Sequence, residues 1–65
     1  MNQKPLDRLI KLEEVISQVG MGKTKIYDML QFEEFPPPVK LGRYSRWSQI
    51  EIQEWIEEQK GKRAA

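Results

Sequence analysis

Gly22, Lys23 and Thr24, inside the run GMGKTKIYDML, are the residue types that end a phosphate-binding loop. Such a loop has the form G-x-x-x-x-G-K-[ST], because its first glycine lets successive backbone amides turn inward around the phosphates between a strand and a helix. In this chain Ser17 stands where that glycine is required. The residues before Gly20 also carry helical rather than strand periodicity, and 65 residues with at most three short strands cannot supply the sheet on which such a site rests. A nucleotide loop is therefore rejected. The same letters fit a second chemistry: at the start of a helix, free amides, a lysine ammonium and a threonine hydroxyl can grip a backbone phosphate or a base edge of DNA.

Other chemistries lack their residues. The sequence has no histidine and no cysteine, which removes the usual zinc ligands, any disulfide framework and the commonest general bases and nucleophiles. Neither a metal, a cofactor nor an enzymatic activity is expected. The net charge is only +1, yet its distribution is uneven. Lys40, Arg43 and Arg46 lie in a stretch, residues 35 to 50, without a single acid, whereas Glu51, Glu54, Glu57 and Glu58 crowd the segment that follows. Local potential steers association more than the total does.

The elements that position these groups follow from periodicity. Leu12, Val15, Ile16 and Val19 recur at helical spacing, and Gly20 supplies a stop. Ahead of them, RLIKL alternates as a short strand or a packed arm would. After the turn Gly20-Met21-Gly22, a second helix is expected from Lys23 to about Glu34. Ile26, Met29 and Leu30 form its apolar stripe, and Thr24, Lys25, Tyr27, Asp28 and Gln31 its polar side. Pro36, Pro37 and Pro38 close it, with Phe35 driven to extended geometry.

From Val39 a strand is expected, with Val39 and Leu41 toward the core and Lys40 outward, then a hairpin tip at Gly42-Arg43-Tyr44-Ser45. Ser48 and Glu51 match a capping box, and Ile52, Trp55, Ile56 and Gln59 mark the buried stripe of a third helix before a frayed tail, KGKRAA. A short helix, a glycine turn and a second helix opening on Lys23 and Thr24 are the parts of a helix-turn-helix. The hairpin adds a wing: Arg43 and Arg46 flank Tyr44 with no acid nearby, as a minor-groove or phosphate probe requires. Trp47, at the foot of the hairpin, reads as a core residue.

In this order, RLIKLEEV, GKTKIYDML, FPPPVKLG, RYSRW and IEIQEWIEE resemble the AlpA-type prophage regulators and the small phage excisionases over residues 8 to 60. The pair GKT-x-IYD and GR-x-x-RW is especially similar to the TorI-type excisionases. The resemblance implies a mostly α fold with a small β-hairpin, a winged helix-turn-helix related to the MerR-type domain. It also implies sequence-specific binding of double-stranded DNA at prophage ends or promoters, with control of an integrase or help in excision. Carried over by position, Lys23, Thr24, Lys25, Tyr27 and Asp28 fall on the recognition helix and Arg43, Tyr44, Ser45 and Arg46 on the wing. Asp28 would accept from a cytosine amino group or else repel the backbone.

A chain this short makes one domain, since below roughly 70–80 residues a core rarely yields more than about 3–5 kcal/mol. Residues 1–65 are expected to form a single winged-helix domain, with its core at about 8–60 and a basic tail at 60–65. No apolar run has the roughly 18 residues of a membrane span and no secretory signal opens the chain, so a cytoplasmic location is expected. One such domain covers little DNA, so several copies binding side by side are expected, with Lys60, Lys62 and Arg63 contacting a neighbour or an integrase. The competing reading is an adapter that docks an integrase or regulator through the acidic third helix.

Overall fold

The computed structural model describes residues 6–63. The elements run β1 (Leu9–Ile10), α1 (Leu12–Val19), α2 (Lys23–Gln31), β2 (Val39–Leu41), β3 (Tyr44–Ser48) and α3 (Gln49–Lys62). The arrangement is mostly helical with a small hairpin, as a winged helix is. RLIKL does become a strand: β1 pairs antiparallel with β3, Leu9 opposite Ser48 and Ile10 opposite Trp47, giving a three-stranded sheet in the order β1-β3-β2.

The core gathers the apolar stripes onto one tryptophan. Val15 of α1, Ile26 and Met29 of α2, Ile52 of α3, Ile10 and Phe35 are buried around Trp47, which has no exposed surface. Burying an aromatic of that size contributes on the order of 4–6 kcal/mol of gross transfer free energy, which makes it the largest single apolar term in so small a protein. Its indole nitrogen donates to the Pro36 carbonyl oxygen at 3.0 Å, so no buried donor is left unmade.

Two helix ends set the path of the chain. Gly20 closes α1 at φ +74°, donating its amide to the Ile16 carbonyl at 2.9 Å, a left-handed cap that glycine adopts without steric cost. The end of α2 corrects the expectation, for the helix stops at Gln31 and not near Glu34. Glu33 takes a left-handed φ of 57°, its amide donating to Leu30 O at 3.2 Å while the amide of Glu34 donates to Met29 O at 2.9 Å. That pair of bonds is a Schellman closure. It reverses the chain before the prolines are reached and returns Phe35 into the core, so the prolines follow a stop that the backbone has already made.

The hairpin differs from expectation in two ways. Its loop is only Gly42-Arg43, since Leu41 pairs with Tyr44 and Ser45 pairs with Lys40. Positive φ at Gly42 alone is the pattern of a two-residue type II′ turn. The faces also differ: alternation about buried Trp47 puts Ser45 and its partner Lys40 on the Trp47 face of the sheet, where Lys40 is nonetheless exposed as expected and its Nζ donates to Ser45 Oγ at 2.8 Å, while neither Val39 nor Leu41 enters the core. Val39 and Leu41, 39% and 47% exposed, share the outer side with Tyr44 and Arg46. Trp47 fixes the parity of β3, and pairing transmits it to β2. Of the tail expected to fray, Lys60, Gly61 and Lys62 continue α3, while Ala64 and Ala65 lie outside the described residues.

Candidate nucleic-acid interface

α2 begins on Gly22, which has no side chain to cap it, so the amides of Lys23, Thr24 and Lys25 lack a side-chain acceptor. Ile26 is the first to donate within the helix, to Gly22 O at 3.1 Å. No acid sits in the first turn, so the positive end of the helix dipole is uncompensated. Ile26 and Met29 are buried, which turns Lys23, Thr24, Lys25, Tyr27 and Asp28 outward, and all five are exposed. Lys23, Thr24, Tyr27 and Asp28 line one shallow open depression together with Gln31. Gln31, on the polar side of the helix, extends the site beyond the residues the sequence motifs mark; it stands one turn beyond Tyr27 and Asp28.

On the hairpin, Arg43 sits in the turn and is exposed, and Tyr44 is 58% exposed and does not close the core. The Arg46 guanidinium lies over the Tyr44 ring, 5.0 Å from its centroid, and its Nη1 donates to Ser45 O at 3.0 Å. Cation–π stacking therefore fixes the orientation of Arg46. Ser45 is half-buried and engaged with Lys40, so it orders the hairpin more than it offers a free hydroxyl. Among the described residues no acid pairs with Lys23, Lys25, Arg43 or Arg46. The nine residues thus form two groups, five on α2 and four on the hairpin, with no hydrogen bond between the groups.

The support beneath them holds residues that sequence reasoning missed. Ser48 does cap α3, accepting from Glu51 N–H at 3.1 Å. The reciprocal arm of the capping box is not formed among the described residues; Asp7 instead joins the helix start by accepting from Ser48 Oγ at 2.5 Å and from the amide of Ile50 at 3.0 Å. These bonds, led by the Ser48 hydroxyl, hold the Asp7 carboxyl below its ordinary pKa. Gln18 of α1 and Gln49 of α3 exchange amide bonds at 2.8 Å in both directions, and Gln53 adds one at 2.9 Å. This amide cluster ties α1 to α3. None of these partners has a local sequence signal except Ser48, because each meets its mate across more than 30 positions.

The family described as "Prophage CP4-57 regulatory protein (AlpA)" matches residues 8–60. The chain belongs to the AlpA family of prophage regulatory proteins. An AlpA-family assignment agrees with the relative found in Enterobacteria phage P4, the uncharacterized protein ORF88, which is 31% identical over 51 residues. That match covers 77% of this chain and 58% of the phage protein's length. No solved structure matches the chain. Among the described residues no helix is long and apolar enough to cross a membrane.

Proposed function

We propose that the protein binds specific double-stranded DNA sites of a prophage or related mobile element, acting as a transcriptional regulator, an excisionase, or both. The observation that carries this reading is the uncapped, acid-free start of α2, where Lys23, Thr24 and Lys25 stand exposed beside Tyr27 and Asp28. In a helix-turn-helix that end enters the major groove. Lys23 and the first amides would take phosphate oxygens and fix the register. Thr24, Tyr27 and Asp28 would meet base edges, Asp28 accepting from a cytosine amino group. Arg43 and the stacked Arg46–Tyr44 pair would reach the flanking backbone or minor groove. Membership of a prophage regulatory family supports the reading, and the TorI-like motif order supports excision as one outcome. An integrase is then the expected protein partner, and neighbouring copies on adjacent sites the expected route to tight binding, given the small area of one module.

Selection of bound duplexes from a random-sequence pool tests specificity. The expected result is an enriched motif that Thr24→Ala or Asp28→Ala relaxes at one or two positions, each worth about 1–3 kcal/mol of discrimination. A pool that stays unenriched after repeated rounds would leave only non-specific attraction and overturn the reading.

A further inference from the structure

A trough runs between the proline segment and α3. Its floor is Phe35, Pro36 and the half-buried Trp55, whose ring lies edge-on to Phe35 at 4.8 Å between centroids and 67° between planes. The Trp55 indole nitrogen donates to Glu34 O at 2.9 Å, which fixes the ring. Two depressions share Pro36, Trp55 and Glu58 and so make one continuous groove. Glu34, Glu54 and Glu58 stand along its edges.

Six glutamates line the trough against one lysine, Lys62, which stands one turn beyond Glu58, so the rim keeps a net negative charge. Glu54 lies three residues from both Glu51 and Glu57 and four from Glu58, spacings at which like charges on a helix repel. Among the described residues only Glu57 has a cation, Lys60 at 2.8 Å, in an exposed pair of little energetic weight. DNA is excluded as the occupant by the same carboxylates. A planar cation fits: a guanidinium stacks its face on an aromatic floor and donates from its edge to carboxylates on either side.

We infer that this trough docks an arginine-rich segment of a partner protein, on a surface separate from the α2 and hairpin residues. The chain's own arginines do not supply that segment. Arg8 donates to Gln49, Arg46 is stacked on Tyr44, and Arg43 and Arg63 are isolated at a turn and a helix end. The trough would thereby let the protein hold DNA and a second protein together. The inference stands independently of the DNA reading.

An oligo-arginine peptide titrated into isotopically labelled protein at roughly 0.15 M salt, where long-range attraction is screened, tests it. The expected result is movement of the Trp55 indole N–H and of the Glu54 and Glu58 amides, with affinity reduced at least about tenfold by the double change Glu54→Gln, Glu58→Gln and unaffected by Glu13→Gln on α1. Circular dichroism confirms that the variants fold, and duplex binding by the double variant is expected to stay at the wild-type level. Equal weakening by Glu13→Gln, or a Trp55 signal that does not move, would mean diffuse charge attraction and overturn the proposal. So would sedimentation showing a dimer that the double change abolishes, which would assign the trough to a second copy.

Discussion

Asp7 places a carboxylate over the first turn of α3, where it accepts from Ser48 Oγ and the Ile50 amide and faces the positive end of the helix dipole. These bonds lower its pKa, so the unfolded chain binds the proton more readily than the folded one. The resulting stabilisation is present above the unfolded value, near pH 4, and is lost as the pH falls through the folded one. Urea midpoints measured from pH 7 to pH 3 should therefore show a fall below about pH 4 in the wild type that is reduced in Asp7→Asn; superimposable relative profiles would remove Asp7 from the cap. At this scale the sequence was legible where partners are local. Ser48 and Glu51 declare a helix start, and Lys23 and Thr24 declare an exposed one. Asp7 and Gln18 carry no such sign, because their roles exist only once the chain has returned 41 and 31 positions later.

Helix and strand existence was readable, while ends and faces were not. The three prolines pointed to a stop for α2 near Glu34, yet the Schellman closure at Glu33 ends the helix first, in a conformation that costs a non-glycine residue about 1 kcal/mol. Glu33→Gly should relieve that strain and, after glycine's entropic loss, raise stability by up to about 0.5 kcal/mol, read from the denaturation midpoint. A lower midpoint would show that the left-handed turn is not the element's weak point. The hairpin teaches the same lesson for faces. Val39-Lys40-Leu41 read alone places its apolar residues inward, but three residues carry too little alternation to outweigh the parity that Trp47 imposes through pairing. The consequence is that Val39 and Leu41 share the outer face with Tyr44 and Arg46.

The molecule as a whole divides its charge. A total of +1 resolves into exposed cations on α2 and the hairpin and a run of carboxylates along α3 and the preceding turn, so that each surface suits a partner of opposite sign. In the proposed complex Lys23, Lys25, Arg43 and Arg46 neutralise DNA phosphates, and the salt dependence of duplex binding reads this out. Log K plotted against log salt should fall linearly with a slope of roughly −0.9 for each phosphate neutralised. Arg43→Ala should make that slope shallower by about one unit on every duplex tested. A flat wild-type response, or slopes unchanged in all four alanine variants, would contradict it.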